Sequence, residues 1–248
     1  MALDLVFLLL VGAAFLAGFI DAIAGGGGMI TVPALLLGGV DPLTALGTNK
    51  LQSLFGSGSA TLAYARKGHM RIRDLLPAGL LSGLGSAGGA LIAASLPLDF
   101  LRTLLPFLLI AIALYFAFKP GLSDVDRERR LSPRRFALVV VPLIGAYDGL
   151  FGPGTGSFFM LAFVGLAGYG VLKATAHTKF LNFASNLGGF LVFAGVGTIH
   201  WQLGFAMGVA QFLGARVGAA SAMRFGSRII RPLLVTVCIA LAARLLWT

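Results

Sequence analysis

The sequence predicts an all-α, polytopic membrane protein, and three observations carry that expectation. Only 11% of the residues are Asp, Glu, Lys or Arg, against roughly 25% in soluble domains. Mean hydropathy is +0.93, with 58% of residues hydrophobic. Residues 75–97 and 181–211 hold no Asp, Glu, Lys or Arg at all. A helix needs roughly 20 apolar residues to cross a hydrocarbon core of roughly 30 Å. These runs are long enough, and they lack the polar–apolar alternation of a transmembrane β-strand.

Taken in order, the apolar segments predict about eight spans, at residues 3–24, 44–64, 75–96, 100–118, 136–150, 174–194, 203–223 and 229–246. The first segment has no basic residue before Lys50, so it lacks the positive start of a cleavable signal and is expected to stay as a helix. Two shorter pieces, 29–40 and 157–169, each follow a glycine-rich break. At 1.5 Å of rise per residue neither crosses comfortably as a straight helix, so each either re-enters or crosses obliquely. The chain has 35 glycines, which suits close approach of membrane helices. Gly85 and Gly89, four apart, are read as packing positions.

Residues 119–135 form the longest polar stretch, with six basic side chains against Asp124, Asp126 and Glu128. They are read as a cytoplasmic linker between a first half, 1–118, and a second, 136–248. The halves repeat. Lys50 aligns with Lys179, 129 positions on, and the same offset pairs Gly79 with Gly208, Gly85 with Gly214 and Gly89 with Gly218. Gly18 and Asp21 align with Gly145 and Asp148 at an offset of 127. Loop charges set the relative orientation. Arg66, Lys67, Arg71 and Arg73 follow the second span, whereas the matching loop at 195–202 has no Lys or Arg. With basic loops inside, equivalent loops fall on opposite sides. This predicts an inverted-topology repeat with both termini outside and the linker inside.

The net charge of +10 follows the same loop pattern and shows no basic face with interleaved aromatics, so a nucleic-acid partner is excluded. The single cysteine, Cys238, excludes an intrachain disulfide and a multi-Cys metal site. No metal or other cofactor is expected. No Lys-Ser/Thr pair follows either glycine run, which removes a P-loop reading.

Two matched constellations remain. The first is Asp21 followed by Gly25, Gly26, Gly27 and Gly28, matched by Tyr147 and Asp148 followed by Gly152, Pro153, Gly154, Thr155 and Gly156. Glycine in a helix interior costs about 1 kcal/mol relative to Ala, so these are breaks. A broken backbone at membrane depth must be buried or line a wet cavity, and freed amides suit an anion. A hinge or a tight crossing would leave the same pattern. The second constellation is Thr48, Asn49, Lys50, Gln52 and Ser53, matched by His177, Thr178, Lys179 and Asn182, with Asn186 one turn on. One lysine near a span end can snorkel to the interface. Two at equivalent positions, each beside hydrogen-bond donors, read as a pair that neutralises an anion. Asp21 and Asp148 pair with these lysines, carry a coupling proton, or cap the breaks. His177 is a proton carrier or a packing histidine. Arg216 is a charge clamp or a partner for an aspartate.

In these motifs the chain resembles the TauE/SafE family of sulfite-exporter-type permeases, YfcA-like branch. The matching pieces are Gly18-Phe19-Ile20-Asp21 with Gly25 to Gly28, Thr48-Asn49-Lys50-Leu51-Gln52, Tyr147-Asp148-Gly149 with Gly152 to Gly156, Ala174 to Lys179, Asn182, Ser185-Asn186 and Gln211 to Arg216. The resemblance covers nearly the whole chain. It implies a bacterial inner-membrane transporter of small sulfur-containing anions such as sulfite or organosulfonates, in a lipid bilayer. A passive anion channel and an intramembrane enzyme are the competing readings. The second needs a nucleophile–base pair or a metal cluster that the sequence does not offer. Small residues on several spans permit a homodimer.

Overall fold

The computed structural model describes residues 2–101, 103, 104, 107 and 128–225. The expected span at 229–246 lies outside them, as do Cys238, most of 100–118 and the linker up to 127. Among the described residues the regular structure is helical: α1 (Ala2–Ala24), α2 (Gly28–Leu37), α3 (Pro42–Arg66), α4 (Ile72–Ser95), α5 (Val141–Leu150), α6 (Thr155–Gly165), α7 (Val171–Val196) and α8 (Trp201–Phe225). A helical turn at Pro133–Arg135 and a π-helical stretch, Phe136–Val140, lead into α5.

Helix ends follow local chemistry. The Asp41 carboxylate accepts from the Thr44 N–H at 3.0 Å, with Pro42 at the first helical position, to start α3. α7 stops at Gly197 in the left-handed region (φ +81°). Leu5–Ala24, Ile72–Ser95, Val171–Val196 and Trp201–Phe225 are long and apolar enough to cross a membrane. α3 has the length, at 25 residues, but carries polar side chains on the face it buries, among them Thr48, Asn49, Lys50, Gln52, Ser57 and Thr61. Low hydropathy here marks an interior helix.

The exposed surface is the apolar one. Leu80, Leu84 and Leu91 on α4, and Val209, Leu213 and Val217 on α8, are each more than half exposed. Their spacing of four and seven residues draws apolar stripes down the outside, while Asp21, Asn49, Lys50, Gln52, Asp148 and Lys179 lie within. A water-soluble fold reverses this arrangement. The chain is a multi-pass helical membrane protein.

Helices pack through glycine. α1 lies along α8 and α4 along α5, while α3 and α7 pack on each other and on α8 and α4. A Cβ on Gly214 or Gly218 would strike the α1 backbone at Phe15 or Phe19, and one on Gly85 or Gly89 would strike α5 at Pro142 or Ala146. The packing reading of Gly85 and Gly89 therefore holds.

The short pieces turn back. α2 and α6, of 10 and 11 residues, span about 15 Å at 1.5 Å per residue, half a hydrocarbon core. Leu10 near the start of α1 shares a packed cluster with Leu35 of α2 and Ala45 of α3, so α2 returns toward the end from which α1 came. The Arg130 and Leu131 N–H groups donate to the Leu166 carbonyl beyond α6, so α6 ends beside the segment that leads into α5. Each half thus holds a helix–break–helix hairpin.

Candidate functional site

The site is built where the two hairpin tips meet. α1 ends because Gly25 takes φ +83°, a conformation that favours glycine. The last turn of α1 holds Asp21, buried, with its Oδ1 accepting from the Gly27 N–H at 3.2 Å. In the second hairpin the Phe151 N–H donates to the Tyr147 carbonyl, the Tyr147 hydroxyl to the Pro153 carbonyl at 2.5 Å, and the Thr155 hydroxyl to the Gly152 carbonyl at 2.7 Å. The freed carbonyls at the break are thus taken up locally.

The tips interlock. The Ser157 N–H donates to the Gly25 carbonyl at 3.1 Å, and the Ser157 hydroxyl donates to the Ala24 carbonyl at 2.7 Å. A Cβ on Gly25 would land on the backbone of Gly156 and Ser157, and one on Gly28 would sit 3.2 Å from Pro153 Cα. Glycine is required at the tip for this approach as well as for the turn.

Both lysines point into these breaks and both are buried, at 1% and 0% exposure for Lys50 and Lys179. Lys50 Nζ lies 2.8 Å from Asp148 Oδ1 and donates to the Asp148 backbone carbonyl. Lys179 Nζ lies 3.2 Å from Asp21 Oδ2 and donates to the Asp21 backbone carbonyl. The pairing is crossed: each lysine takes the aspartate of the other half. An unpaired charge at this depth would cost several kcal/mol, which each partner offsets. Both aspartates pair with the lysines in this structure, and Asp21 also caps its break, accepting from the tip amide of Gly27.

The other expected residues divide. Gly152 lies beside Lys50, since a Cβ there would sit 3.1 Å from Nζ. Asn49 Oδ1 accepts from the Thr31 hydroxyl at 2.7 Å and from Gln52 Nε2 at 3.1 Å. Thr178 is buried next to Lys179 in sequence, and its hydroxyl has no partner among the described residues; the same holds for Gln52 Oε1 and Asp148 Oδ2. Asn186 Nδ2 donates to the Asn182 carbonyl at 2.7 Å, which ties that pair to its own helix. The Thr48 hydroxyl accepts from the His200 N–H at 3.0 Å and so anchors the start of α8.

His177 stands apart from both ion pairs. Its ring lies 5.0 Å from Tyr169 and 5.7 Å from Phe163, its Nδ1 is 2.8 Å from the Lys173 carbonyl, and it lines a cavity of about 240 Å³ with Asp74 and Arg129. Arg216 is exposed on α8, in a cavity shared with Arg66 and Lys67.

Sequence reasoning missed Ser86. A Cβ on Gly189 would sit 3.0 Å from Ser86 Oγ and 3.2 Å from Lys50 Cε. This puts a buried hydroxyl with no partner among the described residues beside the lysine. The available signal was Ser82 and Ser86, four apart in a charge-free run. Thr31, which donates to Asn49, was missed for the same reason: one hydroxyl in an apolar segment.

Two buried lysines, each paired with a carboxylate of the other half, thus stand at the two glycine breaks. Comparison with known proteins finds proteins named as membrane transporters. Residues 10–245 match the family model described as "Sulfite exporter TauE/SafE". A Sinorhizobium protein named "Probable membrane transporter protein ORF9" is 64% identical, over 94% of this chain and 90% of its own length. Escherichia coli K12 "Probable membrane transporter protein YfcA" is 47% identical, over 94% and 87%. Bacillus subtilis "Probable membrane transporter protein YunE" is 24% identical, over 97% of each. No solved structure gives a significant match.

Proposed function

This chain belongs to the sulfite exporter TauE/SafE family, and from that premise we propose that it is a secondary transporter of small anions, with sulfite or an organosulfonate as cargo. The relatives that match over nine-tenths of the chain carry membrane-transporter names, which favours a permease over an enzyme. The observation that carries the reading is the crossed pair of buried ion pairs, Lys50 with Asp148 and Lys179 with Asp21. In this structure each lysine is neutralised by a carboxylate from the opposite half. A cargo anion competes for the same ammonium groups. Its arrival releases an aspartate, which is free to take a proton or turn to another donor, and this links anion binding to the contact between halves.

Alternating access then follows from two inverted halves rocking against each other. Matched contacts support that arrangement. Gly18 approaches the Gln211 backbone, and Gly145 approaches the Ser82 backbone; these are the same contact under the offsets that align the halves. The two hairpins enter from opposite sides, with α1–α2 facing outside and α5–α6 facing the cytoplasm. Three further crossings per half complete the fold, with the linker inside and both termini outside the inner membrane.

Uptake of labelled sulfite and of a small organosulfonate into proteoliposomes, with and without a pH gradient, tests the reading. Saturable, gradient-stimulated uptake supports it. Flux that never saturates and ignores the gradient converts it to a channel. No flux of either anion from folded protein removes these cargoes.

A further inference from the structure

On the outer side of α3 and α8, remote in character from the closed ion pairs, lies a cavity of about 310 Å³ lined by Arg66, Lys67 and Arg216 together with Leu62, Ala63, Phe212, Ala220 and Met223. Among the described residues no Asp or Glu lines it. The three basic residues are exposed. Arg66 and Lys67 close the C-terminal end of α3, where a cation is favoured by the helix dipole alone. Arg216 has no such reason to be there. It stands inside α8, well before the helix ends at Phe225, and beside Leu213 and Val217, each 51% exposed on the lipid-facing stripe. An arginine on a lipid-facing stripe is costly unless something anionic meets it.

We propose that this cavity is a binding site for the phosphodiester headgroup of an anionic phospholipid. The guanidinium groups of Arg66 and Arg216 grip the phosphate oxygens, each able to donate two parallel hydrogen bonds. The Lys67 ammonium adds charge. The apolar wall of Leu62, Ala63, Ala220 and Met223 takes the first methylenes of an acyl chain. A free anion would use the three cations and leave that wall bare, so a lipid is the occupant that satisfies both faces of the cavity. The basic loop after α3 places the site at the leaflet that positive loops face, where basic pockets between helices meet anionic headgroups.

The test measures binding of phosphatidylglycerol to the purified, detergent-solubilised full chain, by native mass spectrometry. Phosphatidylcholine, glycerol 3-phosphate and inorganic phosphate serve as comparison probes, and Arg216→Gln and Arg224→Gln as variants. Arg224 is exposed on the same helix but does not line the cavity. The expected result is tighter binding of phosphatidylglycerol than of phosphatidylcholine, weakened about fivefold by R216Q and unchanged by R224Q. Equal binding of the two lipids overturns the proposal, as does equal loss in both variants, which would mean diffuse surface charge. Saturation by inorganic phosphate or glycerol 3-phosphate as readily as by lipid reassigns the cavity to a free anion and also overturns it. Because the readout is lipid binding, failure here is separate from any result on anion transport.

Discussion

Lys50 Nζ and Asp148 Oδ1 stand 2.8 Å apart in the interior, although 98 residues of chain separate them. The bond ties the middle of α3 to the last turn of α5, across the two halves. Lys179 and Asp21 do the same between α7 and α1. In this fold neither lysine takes its carboxylate from its own half.

Breaking one pair from one side therefore destabilises more than removing it whole. Asp148→Asn strands the Lys50 ammonium at 1% exposure and is expected to cost about 3–5 kcal/mol. Lys50→Gln combined with Asp148→Asn should cost clearly less than the sum of the two single changes. Thermal unfolding of the four proteins in one detergent provides the cycle. Additivity to within about 0.5 kcal/mol would show that the two side chains are not coupled.

The same lysines govern the proposed transport. Lys50→Gln or Lys179→Gln removes the charge that meets a cargo anion, and the rate of anion uptake into proteoliposomes is expected to fall by about 30-fold or more. Amounts of inserted, folded protein should be checked alongside. Full uptake in both variants would sink the role given to these side chains.

The hairpin tip makes a sharper structural prediction. Gly25 and Gly39 both take positive φ, +83° and +84°. A Cβ on Gly39 meets nothing within 4 Å, whereas one on Gly25 meets the Gly156 backbone. Gly39→Ala should cost only the backbone strain, about 1–2 kcal/mol. Gly25→Ala must also push the two tips apart, so its melting temperature should fall further and its anion uptake should fail. Equal melting temperatures would mean that the tips do not need their close contact.

The sequence made the raw materials of the site readable, because a lysine, an aspartate and a glycine break are each costly within an apolar chain and appear twice in register. Which aspartate meets which lysine was not readable. Asp21 is nearer in sequence to Lys50, and the tertiary packing, in which α1 reaches α7, brings the crossed partners together. Whether residues 29–40 and 157–169 return or cross was also hidden, since a ten-residue apolar helix looks the same either way. Contacts such as Leu10 with Leu35, and Arg130 with Leu166, decide it. The sequence leaves His177 open between a proton carrier and a packing histidine, and its contacts fit the second. Its position beside Thr178 and Lys179 suggested the site, but its side chain leaves the other way, toward Phe163 and Tyr169. On a helix the next residue faces about 100° away.

The proposed inverted arrangement yields a last prediction that does not depend on cargo. Lys67, just after α3, and Gly195, in the last turn of α7, are both exposed, and they belong to the loops whose charges differ: basic after α3, uncharged after α7. If both halves had the same orientation, these equivalent loops would lie on one face of the membrane. With inverted halves they lie on opposite faces. After replacement of Cys238, Lys67→Cys and Gly195→Cys place one thiol in each loop. Gly195 has open space around a Cβ, and Lys67 lines an exposed cavity, so neither change should disturb packing. A membrane-impermeant maleimide applied to intact spheroplasts should label the cysteine at 195 and reach the one at 67 only after permeabilisation. Labelling of both from outside, or of neither, would place the two loops on the same side and exclude the inverted repeat. The crossed lysine–aspartate pairs would then join two halves of like orientation, and rocking about a shared axis in the membrane plane would no longer exchange the exposed face.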